Sequence, residues 1–235
     1  MNLKYIFDRL LVATTLLLAT YCISNSIMYL RNFEKSVEVK GVSEKIVLSD
    51  YASWNISYSV SGNNLFEIES IVSKNQKNIT NILKQNGLSE HEIQIGTNTV
   101  TDNWANQYNP NFAQMQHYQI SSTIIVNSDN IKDISNANNN LNQLIKTGLI
   151  LSTNNINYFY KNLNLVKNDM LLEATQNAKN SANIFASNSN SQVLGIKNAN
   201  QGLFTISSPD GSNLNDTQNI YKKIRVVTTV NFFIK

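Results

Sequence analysis

The alternation of apolar and polar side chains is clearest over residues 50–62, where it predicts a β-strand. One face carries only apolar side chains, namely Ala52, Trp54, Ile56, Tyr58 and Val60. The residues between them are mostly serine and asparagine. A period of two indicates one buried face and one solvated face, which is typical of an antiparallel sheet. We therefore expect Trp54 to lie in the core.

Three stretches have the apolar period of a helix, and they predict helices over residues 65–86, 130–146 and 166–189. Gly87 follows the first of them, where a left-handed C-terminal cap belongs. The third carries small residues four positions apart, at Ala174, Ala178 and Ala182. Such a ridge lets a helix axis approach its neighbour closely, so we expect this helix to pack on a sheet.

The remaining periodic segments predict further strands, over residues 36–42, 93–100, 118–126, 149–163, 193–199, 203–206 and 223–234. A turn is expected at Gly41 and over residues 43–45. The last strand is apolar on both faces, which favours a central position. Together these elements predict an α+β fold, in which one antiparallel or mixed β-sheet carries the three helices.

Residues 10–30 contain no charged side chain. About 20 apolar residues in a helix suffice to cross a hydrocarbon core of ~30 Å. Lys4 and Arg9 precede the run and favour an N-terminus in the cytoplasm. The pattern predicts a cytoplasmic tail at 1–9, a transmembrane signal anchor at 10–30 and an exported domain at 31–235, with the membrane contacted through residues 10–30.

Three alternatives compete for this segment. A cleaved signal peptide would use residues 10–23 as its apolar core and Ser24/Ser26 as a poor cleavage site. A lipoprotein would need a small residue before Cys22, but Tyr21 stands there. A buried helix of a soluble protein would show a polar face, which the first 14 residues of the run lack.

The segment over residues 101–117 has no periodicity and carries four large side chains, Trp104, Tyr108, Phe112 and Met115. A long aperiodic connection is often functional, and aromatic residues among polar ones are typical of interface anchors. We therefore predict that these four residues form an interaction loop. The alternative is that the rings fold back onto their own hairpin.

Composition and motifs indicate no enzyme chemistry. The 235 residues include 19 basic and 16 acidic side chains, without the basic stripe that nucleic acid binding requires, so no nucleic acid partner is expected. Cys22 is the only cysteine, which excludes an intrachain disulfide. His91 and His117 lack the spacing of metal ligands, and neither a nucleophile motif nor a phosphate loop is present. We expect no catalytic residue, metal or cofactor.

Several segments resemble the SIMPL family, a domain of unknown function in bacterial periplasmic and membrane proteins. They are VEVKGVSEK (37–45), SDYASWNISYSVSG (49–62), LKQNGL (83–88), MLLEATQNAKNSANIFA (170–186), NANQGLFTI (198–206) and KKIRVVTTVNFFI (222–234). The last two are similar to a membrane-anchored subgroup. The resemblance spans about residues 36–235 and implies an α+β domain, export, ring-like oligomers and no agreed catalytic residues. Ser49 and Asn190 depart from the family's usual proline and glycine.

With the anchor, this resemblance implies a single-pass protein of the bacterial inner membrane whose bulk lies in the periplasm. We expect a non-enzymatic, envelope-facing, oligomeric or interaction protein linked to envelope integrity or stress. Its expected partners are copies of itself or another envelope protein. The alternative is a periplasmic ligand- or peptide-binding module that uses loop 101–117, and an enzyme is the third hypothesis.

Overall fold

The computed structural model describes residues 3–32, 35–105, 115–141, 144, 148–211 and 216–235. Its helices are α1 (Leu3–Asn32), α2 (Leu65–Gln85), α3 (Ile131–Leu141) and α4 (Asn164–Asn188). Its strands are β1 (Ser36–Leu48), β2 (Tyr51–Gly62), β3 (Ile93–Ile95), β4 (Thr99–Asp102), β5 (Tyr118–Ser128), β6 (Leu151–Phe159), β7 (Val193–Gln201), β8 (Thr205–Ser207) and β9 (Tyr221–Ile234).

The chain forms two compact units. The first contains residues 1–45, 166–205 and 225–235, and the second contains 46–165 and 206–224.

The second unit is built on a five-stranded sheet in the order β3-β5-β2-β6, with β4 also paired to β5. β2 lies between β5 and β6 and pairs antiparallel with both. Its apolar face is buried as the alternation predicts, because Trp54, Ile56 and Tyr58 are inaccessible to solvent. Helices α2 and α3 contribute the other side of this core. The expectation for Trp54 is confirmed.

Helix α2 has the ends that its sequence predicts. The Asn64 side chain caps its N-terminus by accepting a hydrogen bond from the Phe66 N–H at 3.0 Å. Gly87, with φ of +97°, follows the last turn in the left-handed conformation expected for a C-terminal cap. The stripe that faces the core consists of Ile68, Val72, Ile79 and Leu83.

The first unit contains most of the second sheet, whose order is β1-β9-β7, with β8 also paired to β9; residues 206–207 of β8 and 221–224 of β9 belong to the second unit. β9 is central, as predicted. On α4, every fourth residue from Val166 to Ala186 is buried. A Cβ added at Gly41 of β1 would lie 1.8 Å from the Ala174 carbonyl oxygen, so the two backbones are in close contact. The predicted role of the alanine ridge is confirmed.

The turn predicted at Gly41 and residues 43–45 is wrong, because β1 continues without a break to Leu48. Glycine has two common uses, a turn and a close approach of two backbones. Here Gly41 serves the second use, since α4 leaves no room for a side chain. The sequence around Gly41 does not distinguish these uses, since the neighbour that requires the glycine is more than 130 positions away in the chain.

The predicted fold class is wrong in the number of sheets and helices. The described residues contain two sheets, whereas the prediction has one. They contain four α-helices, whereas the prediction has three helices on the sheet and a separate transmembrane helix. The strands that surround β9 form a sheet of their own instead of extending the sheet of β2. The period of a strand reports which faces are buried but not which strands are neighbours, and this explains the error.

The predicted transmembrane helix at 10–30 is also wrong. These residues belong to α1, and no helix among the described residues is long and apolar enough to cross a membrane. Polar side chains interrupt the run, and their hydroxyl groups donate to backbone carbonyls of the preceding turn. They are Thr14, Thr15, Thr20 and Ser26.

Other boundaries differ by local detail. The predicted strand 93–100 is divided into β3 and β4, which both pair with β5. The predicted helix 130–146 is present as α3 up to Leu141, and residues 142, 143 and 145–147 lie outside the described residues. The predicted helix 166–189 is confirmed within two residues as α4.

Candidate interaction surface

The β3–β4 edge, residues 93–102, closes one side of the five-stranded sheet. Within the described residues its strands pair only with β5, so one side of their backbone is left without a strand partner. Ile95 and Val100 are each 53% exposed on this edge. Free backbone groups beside apolar side chains make a template for pairing with another chain.

At the end of this edge, β4 and β5 carry an aromatic stack. The rings of Trp104 and His117 have centroids 4.3 Å apart, with 14° between their planes. His117 in turn stacks on Tyr118, with a centroid distance of 3.8 Å. The three rings form a rigid ladder, of which Trp104 is the outermost member.

A carboxylate holds the base of the stack. Oδ1 of Asp102 accepts hydrogen bonds from the backbone N–H groups of Trp104 at 2.9 Å and Ala105 at 3.2 Å. The same oxygen lies 3.2 Å from Nε2 of His117. The backbone N–H of His117 donates to Oδ1 of Asn63 at 3.0 Å, which connects the stack to the segment between β2 and α2. The backbone around Trp104 is therefore fixed from both sides.

Of the four residues predicted to form the interaction loop, the structure describes two. Trp104 is 40% exposed, and its indole Nε1–H donates to the Met115 carbonyl at 3.1 Å. Met115 is 42% exposed. Trp104 thus contacts its own hairpin and also presents surface to solvent. Tyr108 and Phe112 lie outside the described residues, and the role of the loop stays a prediction.

The spacing of His117 in the sequence indicates only a histidine without neighbouring metal ligands. The position of His117 in the sequence is the signal that indicates its contact with Asp102. Asp102 and His117 stand at the two ends of the aperiodic segment, where paired strands bring them together. An acid and a histidine at matching strand ends predict a contact across the hairpin.

A groove separates α2 from the β3–β4 edge and encloses about 290 Å³. Its lining residues carry polar groups except for one isoleucine, although most of the surface they expose is apolar, and they are Ser73, Gln76, Lys77, Thr80, Asn81 and Ile95. Amide, hydroxyl and ammonium groups beside a free strand edge suit an extended peptide, because the edge pairs with its backbone and the helix contacts its side chains.

A polar cleft of about 490 Å³ lies elsewhere in the second unit, lined by Tyr51, His91, Glu92, Asn127, Asp129, Asn130 and Lys161. Two of its charged groups, Lys161 and Asp129, form an ion pair. Nζ of Lys161 lies 3.0 Å from the ring centroid of Tyr51 and 3.2 Å from Oδ1 of Asp129. Among the described residues, no group of three acidic, histidine or cysteine side chains could hold a metal ion.

The Glu92 carboxylate is the acid of this cleft whose pKa is perturbed. Burial raises that pKa, but hydrogen bonds from Ser128 and Ser89 lower it more, so the pKa lies below its ordinary value of 4.5. The Ser89 N–H donates to Oε2 at 2.8 Å. A carboxylate held in its ionised form does not suit proton transfer near neutral pH, so the cleft resembles a structural network.

Comparison with known proteins gives one family. The family model described as a protein of unknown function (DUF541) matches residues 37–226. No curated protein matches the chain. The matched region includes both the β3–β4 edge and the aromatic stack, and its description assigns no activity to either.

Proposed function

The chain belongs to the SIMPL family, and because that family has no assigned function, we propose one from the geometry. We propose that the protein is a non-enzymatic interaction module that assembles with copies of itself. The contact is made by the β3–β4 edge together with Trp104. The exported location expected from the sequence stays a prediction and is not needed for this proposal.

The observation that carries the proposal is the position of Trp104 at the end of an exposed strand edge. Its ring is stacked on His117, and its indole N–H donates a hydrogen bond to the Met115 carbonyl. The side chain therefore loses little further conformational freedom when a partner binds. Tryptophan is also enriched among the residues that dominate binding energy. A fixed and partly exposed indole is therefore suited to anchor an interface.

The strand edge supplies the second part of the contact. Ile95 and Val100 add apolar surface beside the free backbone groups. Two copies that pair edge to edge would satisfy those groups and bury the apolar side chains together. Natural proteins place charged side chains on exposed edges to prevent such pairing. Residues 93–101 carry none, and the one acid of this edge, Asp102, is paired with His117.

The test is the native mass of the full chain by analytical ultracentrifugation over a range of concentrations. We expect a mass at least twice the chain mass of 26.5 kDa. Trp104→Ala should weaken the association about tenfold or more, because it removes an interface anchor. Phe185→Ala is the matched control, since Phe185 is an aromatic residue of α4 in the first unit that is 60% exposed.

A second variant distinguishes the loss of an interface contact from damage to the β4–β5 hairpin. Val100→Lys places a charge on the edge and leaves the contacts of Trp104 unchanged, and it should also dissociate the oligomer. A wild-type protein that is monomeric at every concentration contradicts the proposal. So does an oligomer that neither substitution affects.

The groove beside α2 favours one alternative function, the binding of an extended peptide from another protein. In that case the native mass is that of a monomer. The wild type captures peptides from a random library, and Val100→Lys abolishes this capture. The same variant therefore distinguishes the two functions, because it removes the oligomer in one case and the peptide complex in the other.

A further inference from the structure

The second unit contains a cavity of about 220 Å³ that is separate from the proposed interface. Its walls are formed by the end of β6, by β8 and by the start of β9. The lining residues are Tyr158, Phe159, Tyr160, Ile206, Ser207, Asp216, Thr217 and Lys222. A cavity of ~150 Å³ lined by apolar side chains is large enough to hold benzene, so this one has room for an aromatic ring and a small polar group.

One buried lysine lies in this wall, beside three aromatic residues. Lys222 is only 3% exposed, because alternate residues of β9 from Lys222 to Phe232 face the protein interior. Its ammonium group donates a hydrogen bond to the backbone carbonyl of Asp216. The Asp216 carboxylate is itself engaged, since it accepts a hydrogen bond from the Ser208 N–H.

The ammonium group has capacity for another acceptor. It carries three N–H donors, and among the described residues it has a single hydrogen-bond acceptor. Burial lowers the pKa of Lys222, and the opposing effect of Asp216 does not restore it. The charge of Lys222 is thus only partly compensated within the protein.

We propose that this cavity binds a small aromatic carboxylic acid, whose carboxylate accepts from Nζ of Lys222 and whose ring lies against Phe159, Tyr158 and Ile206. A carboxylate adds a single negative charge to a lining in which Lys222 already lies near the Asp216 carboxylate. A phosphate dianion would bring a second negative charge next to Asp216, and the cavity has no further cation among its lining residues. The inference does not rest on the proposed self-association.

The test uses isothermal titration calorimetry with the full chain and two probes of the same shape, 3-phenylpropionate and 3-phenylpropionamide. We expect the acid to bind about tenfold more tightly than the amide, because only the acid compensates the buried charge. Lys222→Met should remove this preference. Lys223→Met is the matched control and should preserve it, because Lys223 is the next residue of β9 and points to the other face of the strand.

Three results overturn the proposal. They are equal affinity for the two probes, binding of neither probe, and the same loss of preference in both lysine variants. If Lys222→Met does not fold by circular dichroism, Ile206→Trp provides the independent variant. Its larger side chain fills the cavity and should abolish binding of the acid, and retained binding shows that the acid binds elsewhere.

Discussion

Single aromatic side chains hold the core of the second unit by combining a large buried surface with one polar contact. Trp54 is fully buried, and its Nε1–H donates to Oδ1 of Asn154 at 2.7 Å. Tyr58 is fully buried as well, and its hydroxyl donates to the Val72 carbonyl at 2.9 Å. Burial raises the pKa of Tyr58. Each ring therefore contributes apolar area without leaving its polar atom unpaired.

Replacing Trp54 by alanine tests this role. Trp54→Ala should lower the free energy of unfolding by ~3–5 kcal/mol, because it removes a large buried ring and leaves a cavity. That is a large part of the typical total of ~5–15 kcal/mol. Urea unfolding followed by circular dichroism measures the change. Phe66→Ala is the control, with an expected change within about 0.5 kcal/mol, since Phe66 is 86% exposed.

A loss of less than ~1 kcal/mol in Trp54→Ala would show that the ring is not part of the tightly packed core.

The Glu92 carboxylate makes stability depend on pH. Its pKa in the folded protein lies below the ordinary value of 4.5, so an unfolded chain takes up a proton at pH values where the folded chain does not. The stabilisation is complete above the ordinary pKa and is lost as the pH falls through the folded-state pKa. Urea unfolding between pH 3 and 6 should therefore show the wild type losing its advantage over Glu92→Gln in acid.

Glu90→Gln is the matched control for this pH series. Glu90 has a side chain that is 87% exposed and, among the described residues, forms an ion pair with the exposed Lys84, so removing its charge should change stability little. A constant difference between wild type and Glu92→Gln would contradict the assigned role of the Glu92 hydrogen bonds.

At the scale of elements, the first unit depends on how closely α4 approaches β1. The helix buries Ala174, Ala178, Ala182 and Ala186, which are side chains of minimal size. Its backbone at Ala174 lies where a side chain of residue 41 would stand. Glu173 Oε2 accepts from the Ser43 hydroxyl at 2.7 Å, and the Asn177 amide donates to the Val42 carbonyl at 2.9 Å. Small residues on both elements thus allow hydrogen bonds across the contact.

Gly41→Ala should be strongly destabilising. The added Cβ would lie 1.8 Å from the Ala174 oxygen and 2.5 Å from the Ala178 nitrogen, and both are backbone atoms that cannot move without displacing the helix. We expect a loss of at least ~1–3 kcal/mol, the usual cost of overpacking. The midpoint of urea unfolding measures it.

Gly195→Ala provides the comparison, because a Cβ at Gly195 of β7 meets no atom within 4 Å. This variant should be as stable as the wild type or slightly more stable, since alanine restricts the unfolded chain. Equal effects of the two substitutions would mean that the close contact of β1 and α4 does not limit stability.

On the scale of the whole molecule, the chain does not complete one unit before it begins the other. Each compact unit is assembled from separate segments, and the boundaries fall within β1, α4, β8 and β9. Neither unit can be excised as one continuous piece. The proposed interface and the proposed ligand cavity both belong to the second unit, so variants of either are best examined in the full chain.

Local pattern was sufficient to predict most of the elements and the faces they bury. The period of two placed Trp54 in the core, and the period of a helix located α2 and α4 within two residues. These predictions succeed because burial acts directly on the residues of one element. The lack of period and the composition of the aromatic segment after β4 are also local properties, but its role as an interaction loop stays a prediction.

Tertiary structure alone decided the arrangement of those elements and the contacts of polar side chains. The division into two sheets and the position of Gly41 against Ala174 both join residues distant in the chain. The burial of Lys222 is of the same kind, since in the sequence it is one of two adjacent lysines. A periodic pattern specifies which face of an element is apolar, whereas the identity of the neighbour depends on the competition among all such faces during folding.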